Sequence, residues 1–256
     1  MSLRFASLGS GSRGNALIVE TPHVRVLIDC GFPAREIESR LARLAVDPRS
    51  LGGIFLTHEH GDHMRGVGAM ARRYGLPVWM TAGTYRAARY GKLPQWHPLD
   101  CHRGWIALGD LRILPFPVPH DAREPCQFLL QCGDRRLGLL TDTGYVTPHI
   151  RECLQACDSL VLEFNHDRNL LASGPYPPRL KARVGGVQGH LSNDQALQLL
   201  ADLPHERLNH LLASHLSETN NHGDAVVVAL QKAVPSLEER LHIASQDRVT
   251  SWFELA

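Results

Sequence analysis

The residues with the clearest chemistry in this sequence are three histidines and an aspartate within six positions, 58–63. The segment reads H-E-H-G-D-H. Neutral imidazole and carboxylate are the ligands that Zn²⁺ and similar ions prefer in proteins. Side chains two positions apart on an extended segment lie on one face, so His58 and His60 are predicted to bind one metal ion. Asp62 and His63 follow at a bend and are predicted to bind a second ion. The alternative is a polar loop that is merely rich in histidine.

Three further residues could complete such a site. His120, Asp142 and His215 each follow directly on an apolar, strand-like run. Strand ends are rigid, and several of them converge at one edge of a sheet. Taken singly, each residue could simply belong to a turn. In a chain that already contains the H-x-H-x-D-H segment, we interpret all three as additional metal ligands.

The apolar pattern predicts the elements that would position these groups. Residues 53–56 read as a buried strand and residues 64–74 as a helix, so the histidine-rich segment lies on a strand-to-helix turn, where α/β proteins place their sites. Ser192 and Gln195 match a capping box that starts another helix. Further strands are predicted at 3–8, 16–20, 24–29, near 78, 111–117, 126–132, 135–141, 159–164, 208–214, near 239–244 and near 249–253, and further helices at 33–44, 84–90, from 147, and at 224–234. The simplest architecture is one α/β domain over residues 1–256, a four-layer αββα sandwich.

Two segments could contact a substrate. The glycine-rich residues 9–15 could bind phosphate through their backbone amides, or they could form only a hairpin turn, because no helix follows them. Residues 165–189 look irregular and combine basic side chains with Tyr176, which suits the backbone and bases of a single-stranded nucleic acid. An ordinary solvated loop is the alternative. The basic residues are Arg168, Arg179, Lys181 and Arg183.

Composition limits the class of protein. The 256 residues are 43% hydrophobic, which allows a full core, and the net charge is +1. No global field therefore favours nucleic acid or membrane. No apolar run approaches the roughly 18 residues of a membrane span, and no export signal is recognised in the opening residues. The six cysteines are scattered without a C-x-x-C pair, so we expect reduced thiols in a cytoplasmic protein.

The ligand pattern over the whole chain resembles that of the metallo-β-lactamase-fold hydrolases. Within that superfamily, several motifs resemble the bacterial YycJ/WalJ (VicX) branch. They are S-L-G-S-G-S-R-G-N at 7–15, L-I-D-C-G at 27–31, T-H-E-H at 57–60, V-P-H-D-A at 118–122, E-F-N-H-D at 163–167, G-H-L-S-N at 189–193 and H-L-S at 215–217. Phe164 is a departure, because the family pattern usually has serine there.

The resemblance implies a nuclease. Members of the branch are regarded as 5′-to-3′ exonucleases acting on DNA and are linked to mismatch repair, so a nucleic-acid substrate is expected, with DNA favoured over RNA. Two divalent ions are implied, and the donor types suit Zn or Mn, with Fe possible. Asp29 would orient a ligand histidine by hydrogen bonding. The implied ligands are His58, His60 and His120 for one ion and Asp62, His63 and His215 for the other, with Asp142 bridging both.

The resemblance also suggests catalytic residues. A pair of ions activates water and neutralises charge on phosphoryl oxygens, so a proton donor for the leaving oxygen is still needed. His190 resembles the Gly-His-Ser histidine of ribonuclease Z and β-CASP relatives and is predicted to fill that role or to contact phosphate. Asp62 is expected to be essential for turnover, and His166 to contact substrate or orient a ligand. The alternatives are a histidine that packs against the start of the Ser192 helix for His190, and a plain loop residue for His166.

Other functions of this superfamily fit the sequence less well. Hydrolytic β-lactamases usually have cysteine at the fourth motif, where this chain has Asp142. Only 22 positions separate His120 from Asp142 (142 − 120), too few for the long tRNA-binding arm of many ribonuclease Z enzymes. A glyoxalase II-like thioester hydrolase usually ends in a helical domain, whereas residues 249–253 are strand-like. A non-catalytic metal-binding regulatory protein is the last alternative, and the complete ligand set argues against it.

Overall fold

Two seven-stranded sheets form the centre of the structure, a computed structural model that describes residues 2–255. The first sheet contains, in spatial order, Phe253–Leu255 (β14), Leu3–Gly9 (β1), Ala16–Glu20 (β2), Arg25–Ile28 (β3), Gly53–Phe55 (β4), Pro77–Thr81 (β5) and Gln95–Leu99 (β6). The second contains Leu241–Ile243 (β13), His210–Ser214 (β12), Ser159–Glu163 (β11), Arg135–Leu140 (β10), Cys126–Cys132 (β9), Leu111–Pro117 (β8) and Ile106–Leu108 (β7). Both sheets are mixed: β3 to β6 and β10 to β13 run parallel, and their other neighbours pair antiparallel.

Helices cover the outer face of each sheet. They are Ala34–Arg43 (α1), Gly61–Met64 (α2), Val67–Tyr74 (α3), Ala82–Ala87 (α4), Pro148–Leu154 (α5), Arg168–Ser173 (α6), Pro178–Val184 (α7), Asn193–Asp202 (α8) and Gly223–Ala233 (α9), with short 3-10 helices at Pro48–Ser50 and Pro235–Arg240. Apolar residues of α1 and α3 pack on the first sheet. Those of α5, α8 and α9 pack on the second.

A separate apolar layer lies between the two sheets. Along β2, Leu17 and Val19 belong to this layer, whereas Ile18 belongs to the layer under α1 and α3, as the two-residue period of a strand requires. The rings of Phe55 and Phe128 meet edge to face across the sheets, with centroids 6.0 Å apart. The four-layer αββα sandwich predicted from the sequence is therefore confirmed.

Several predicted elements differ from the structure. The helix predicted from 64 to 74 is two helices, because the chain turns at 65–66. Gly66 packs closely against the backbone of Phe32 at this turn, where an added β-carbon would lie 2.3 Å from the Phe32 carbonyl oxygen. The prediction that residues 165–189 are irregular is wrong in part, because this segment contains α6 and α7. Asp167 caps α6 with its carboxylate, and Pro178 occupies the first turn of α7. The last strand lies at 253–255 and pairs with β1.

Two expectations from composition can be compared with the structure. All six cysteines are free thiols, as predicted. Among residues 2–255, no helix combines the length and the hydropathy needed to cross a bilayer.

Candidate metal centre

The seven residues predicted as ligands come together where strands of both sheets end. They form groups in which one potential ligand atom per residue lies within 4.8 Å of the others. In the first group, Nδ1 of His60 lies 3.3 Å from Nε2 of His120. His58 is fully buried and its Nε2 has no hydrogen-bond partner. Burial lowers the pKa of His58 well below its ordinary value, so this ring is neutral and can donate a lone pair.

The second group contains Asp62, His63 and His215. Oδ2 of Asp62 lies 3.5 Å from Nε2 of His63 and 3.4 Å from Nε2 of His215. Ligands bound at about 2.1 Å in a tetrahedron lie about 3.4 Å apart, which is close to these separations. Burial would lower the pKa of His63, but the carboxylates of Asp142, Asp29 and Asp62 outweigh burial and raise it. The cluster therefore attracts positive charge.

Asp142 lies between the two groups. Its Oδ2 is 3.0 Å from Nε2 of His63, and its Oδ1 is 3.5 Å from Nε2 of His215 and 3.9 Å from Nε2 of His120. Burial alone would raise the pKa of Asp142, but the imidazoles of His215 and His63 outweigh it and hold that pKa well below its usual range. An ionised carboxylate thus contacts both groups, and the whole set of five imidazoles and two carboxylates fits divalent cations.

In each of these histidines, the ring nitrogen that faces away from the cluster (the outer nitrogen) contacts a polar group of the protein within hydrogen-bond distance. Such contacts fix the orientation of the ring and leave its other nitrogen for a metal. The hydrogen bond expected between Asp29 and a histidine is present, because Asp29 accepts from His63 and also from the Thr57 amide at 2.8 Å. The partners are the Thr57 hydroxyl for His58 (3.0 Å), the Asp121 carbonyl for His60 (3.2 Å), Asp29 for His63 (2.7 Å), the Gly189 carbonyl for His120 (3.0 Å) and Glu163 for His215 (3.2 Å).

Backbone strain is concentrated at these strand ends. Asp29, Asp142 and His215 have φ values of 60°, 46° and 54°, and only one other non-glycine residue between 2 and 255 has a positive φ. Non-glycine residues rarely adopt this conformation, and each instance costs on the order of 1–3 kcal/mol. In each case the residue directly follows a strand or lies within two positions of its end, so the sharp turn brings its side chain into the cluster.

The glycine-rich loop at 9–15 supports the cluster. Asn15 donates its amide to the carbonyl of Asp62 at 2.7 Å, and the Ser10 hydroxyl accepts from the amide of His215 at 2.8 Å. Four other loop amides are also engaged within the protein, which favours the hairpin turn over phosphate binding by these groups. Those bonds run from Ser10 to Ser245, Gly11 to the Asn15 side chain, Arg13 to the Gln246 side chain and Gly14 to Gly11.

Glu163 is a member of the site that the sequence reasoning missed. It is fully buried at the end of β11, and its Oε1 accepts from Nδ1 of His190 at 2.8 Å. Its Oε2 accepts from the amides of Leu191 and Thr143 at 3.0 and 3.2 Å. Burial would raise the pKa of Glu163, but His190 and His215 outweigh it and lower the pKa to about 2. The signal available in the sequence was the one used for Asp142, an acidic residue at the end of an apolar strand.

The two predicted catalytic histidines lie in different environments. His190 lines a cleft of about 150 Å³ together with His60, Asp62, Asp142 and His215. His166 does not line that cleft. It is buried, it pairs with Ser192 in an isolated bridge, and its Nε2 would lie 3.9 Å from a β-carbon placed at Gly185.

Two residues of the segment 165–189 also line the cleft, Tyr176 and Arg183. Arg183 forms an ion pair with Asp121 at 2.5 Å. The other basic side chains that make contacts do so elsewhere: Arg168 pairs with Asp194, and Lys181 donates to the Ala172 carbonyl. A larger groove of about 880 Å³ is lined by Gln131, Arg135, Arg136 and Arg207 among others, and it contains none of the predicted site residues.

Comparison with known proteins identifies the family of this chain. Residues 24–212 match the family described as the beta-lactamase superfamily domain. The exodeoxyribonuclease YycJ of Bacillus anthracis is 35% identical over 224 residues, which cover 86% of this chain and 85% of that protein. The exodeoxyribonuclease WalJ of Streptococcus pneumoniae (serotype 2, strain D39) is 34% identical over 227 residues, covering 86% and 84%.

A solved structure shares the fold over nearly the full length. The metallo-beta-lactamase fold protein YhfI from Bacillus subtilis superposes with a TM-score of 0.75 at 15% identity, covering 99% of both chains. Together with the sequence relatives, this similarity shows that the chain belongs to the metallo-β-lactamase-fold hydrolases and, within them, to the YycJ/WalJ branch.

Proposed function

We propose that the protein is a dinuclear-metal phosphodiesterase that acts on DNA as a 5′-to-3′ exonuclease. The observation that carries the proposal is the position of Asp142 between the two histidine groups, with Oδ1 3.9 Å from Nε2 of His120 in the first group and 3.5 Å from Nε2 of His215 in the second, and Oδ2 3.0 Å from Nε2 of His63. One-metal sites need no such residue, whereas a carboxylate between two ligand groups is suited to bridging two ions. The choice of DNA is supported by the relatives YycJ and WalJ, both named exodeoxyribonucleases.

The ligand assignment follows the two groups. His58, His60 and His120 would hold one ion, Asp62, His63 and His215 the other, and Asp142 both. When bound, a pair of divalent ions supplies a nucleophile from water at neutral pH and neutralises charge on the phosphoryl oxygens. The mixture of imidazole and carboxylate suits Zn or Mn, and Fe is possible.

His190 is the proposed proton donor. Its Nδ1 is engaged by Glu163 at 2.8 Å, which leaves Nε2 as the nitrogen that can face the leaving oxygen of a substrate in the cleft. Burial lowers the pKa of His190, but the carboxylates of Glu163 and Asp142 outweigh burial and raise it. The ring therefore carries a proton that it can give to the departing hydroxyl.

His166 is proposed to be a positioning residue, which packs against the loop between α7 and His190 and does not contact the substrate. Its carbonyl accepts from the Asn193 amide at 2.9 Å, and its ring lies under Gly185. Burial lowers the pKa of His166 to about 4, so the ring is neutral at physiological pH and carries no positive charge with which to bind an anionic substrate.

Substrate binding is proposed to involve the end of α7. Arg183 and Tyr176 line the cleft, and a guanidinium with an aromatic ring can bind a phosphate and stack on a base. Arg183 is already oriented by Asp121, whose carbonyl also holds the outer nitrogen of His60.

The test uses 5′-labelled single- and double-stranded DNA with Mn²⁺ or Zn²⁺. We expect stepwise release of nucleotides from the 5′ end, abolished by Asp62→Ala and absent without metal. A labelled RNA of the same sequence tests the preference for DNA. Rapid hydrolysis of a glutathione thioester with no cleavage of either nucleic acid would replace the proposal by a thioester hydrolase. A stable metal-loaded protein inactive on all substrates would identify a regulatory metal protein.

A further inference from the structure

The charge of this chain is unevenly distributed. Residues 63–99 contain six arginine or lysine residues and no aspartate or glutamate, although the net charge of the whole chain is only +1. All six side chains are exposed. Arg73 pairs with Glu38. For the other five, no carboxylate lies within ion-pair distance among residues 2–255, and these five are Arg65, Arg72, Arg86, Arg89 and Lys92.

Aromatic rings lie within the same stretch. Tyr85 on α4 and Trp96 on β6 are stacked, with centroids 3.8 Å apart and planes 10° from parallel. The ring centroid of Tyr90 lies 5.7 Å from that of Tyr85. Tyr85 is 37% exposed, which is unusual for a large ring in this molecule. Arg72 holds the intervening loop by donating to the carbonyls of Tyr90 and Lys92 at 2.7 and 3.2 Å.

This surface adjoins the metal centre. Thr84, the residue before Tyr85, donates to Oε2 of Glu59 at 3.4 Å, and Glu59 lies between the ligands His58 and His60 in the chain. The other oxygen of Glu59 accepts from the Arg123 amide at 2.7 Å. Glu124 accepts from the amide of Gly83. Glu59 and Glu124, which both contact α4, are thus engaged by backbone or hydroxyl donors and form no ion pair with the cations.

We propose that this surface binds a single-stranded polynucleotide and leads it into the cleft. We name it the α4 platform and define it by Tyr85, Arg86, Arg89, Lys92 and Trp96. Exposed cations without carboxylate partners bind phosphates, and stacked rings bind bases of any sequence. The proposal rests on the proposed nuclease function and adds to it a binding site outside the cleft that contains Arg183.

Packing alone accounts for only part of this surface. The three rings anchor the loop at 88–94, and Nε1 of Trp96 donates to the Met80 carbonyl at 3.3 Å, so a purely structural role would explain the rings. It would not explain a run of exposed cations with no acidic residue over 37 positions, 63 to 99. An acidic protein could pair its carboxylates with the cations but would not stack on the aromatic pair. Single-stranded nucleic acid binds both features, because its phosphates pair with the cations and its bases stack on the rings.

Binding tests the platform directly. The first variant is Arg86→Gln/Arg89→Gln, which removes exposed groups without contacts to the core, and the second adds Tyr85→Ala. The control is Arg49→Gln/Lys232→Gln, which removes the same charge from exposed positions elsewhere. The probe is a fluorescent 30-nucleotide single strand with hydrolysis-resistant phosphorothioate linkages, titrated with metal-loaded protein at several salt concentrations.

We expect the double variant to bind about tenfold more weakly and the salt dependence, log Kd against log [salt], to become shallower by about 1.4, since each lost single-strand contact contributes about 0.7. Tyr85→Ala should weaken binding by about another tenfold. The control should bind like wild type. Equal binding of the strand by all four proteins would overturn the platform. Heparin serves as a second, non-nucleic polyanion. If the variants bound heparin and the strand equally weakly while the salt slope stayed unchanged, the platform would also be overturned.

A cleavage assay separates this proposal from the proposed function. The platform variants should hydrolyse bis(p-nitrophenyl) phosphate at the wild-type rate, because this substrate fills only the cleft, while KM for a long DNA strand rises about tenfold or more. Wild-type protein that binds the strand through the platform but cleaves no DNA would contradict the proposed function alone. Platform variants that cleave long DNA with unchanged KM would contradict the platform alone.

Discussion

Glu163 and His190 are joined by a hydrogen bond of 2.8 Å between two elements that the chain separates by 27 positions. Because Glu163 is fully buried and its other oxygen is held by two backbone amides, it cannot rotate away from the histidine. The imidazole is therefore fixed with Nδ1 toward the protein and Nε2 toward the cleft.

Replacement of His190 tests its proposed role as proton donor. His190→Ala should lower kcat on DNA by about 10²–10⁴-fold, the usual contribution of a general acid, while metal content stays at the wild-type value. Hydrolysis of bis(p-nitrophenyl) phosphate should fall much less, because p-nitrophenolate leaves without a proton. Glu163→Gln is expected to reduce DNA cleavage to an intermediate degree. Loss of metal from His190→Ala, measured by atomic mass spectrometry, would show that the histidine is a ligand.

Asp142 is predicted to control metal stoichiometry. We expect two ions per chain in the wild type and fewer than two in Asp142→Ala, because both histidine groups face this carboxylate. A metal at a thousandfold excess over its Kd contributes about 4 kcal/mol to stability, so chelation should lower the Tm of the wild type by roughly 8–16 °C. Chelation should lower the Tm of Asp142→Ala by less than it lowers the Tm of the wild type. Two tightly bound ions in Asp142→Ala would contradict the bridging position.

The sequence was most informative where chemistry and strand ends coincide. His120, Asp142 and His215 were identified because each follows an apolar run, and the structure brings all three to the segment at 58–63. Glu163 also ends an apolar strand, but it was not identified as a site residue, because it was interpreted only as the first residue of the family motif at 163–167. Long-range neighbours such as Glu163 and His190 cannot be paired from one sequence, since the pairing depends on how two parallel strands and a loop align in space.

The short helices show a different limit. Both α6 and α7 have recognisable starts, the Asp167 cap and Pro178, but six or seven residues give too few turns for an apolar period to stand out. The strands β6 and β7 were missed because they lie at the edges of the sheets, where burial is partial and the alternation of apolar and polar residues is weak. Edge strands carry little of the pattern on which such predictions depend.

His166 is predicted to make stability depend on pH. Its folded-state pKa is about 4, below the ordinary 6.5, because the ring is buried. Below pH 6.5 the unfolded chain takes up a proton that the folded chain does not, so the free energy of unfolding should fall between pH 6.5 and 4 and level off below 4. The full effect is about 3 kcal/mol.

The measurement compares wild type with His166→Asn by urea unfolding in chelator at several pH values. We expect a shallower pH dependence in the variant and a modest change of kcat on DNA. An unchanged slope combined with a large loss of kcat would assign His166 to substrate contact instead of loop support.

Gly31 is predicted to be indispensable for the position of the segment that carries Asp62. A β-carbon at this position would lie 1.7 Å from the carbonyl oxygen of Asp62 and 2.6 Å from the amide of Asn15, both backbone atoms. These two groups are hydrogen-bonded to each other at 2.7 Å. Gly31→Ala must therefore push the loop that carries Asp62 away from β3, at a cost of about 1–3 kcal/mol or more.

Gly61 provides a matched control inside the same segment. A β-carbon there meets nothing within 4 Å, and Gly61 begins α2 with ordinary helical geometry. Gly61→Ala should keep both of the proposed ions and gain about 0.4–1 kcal/mol of stability, whereas Gly31→Ala should lose at least the ion proposed to bind Asp62, His63 and His215. Metal analysis and chelator-dependent melting of the two variants test this, and equal metal content would mean that the loop can shift without displacing Asp62 from its ligand position.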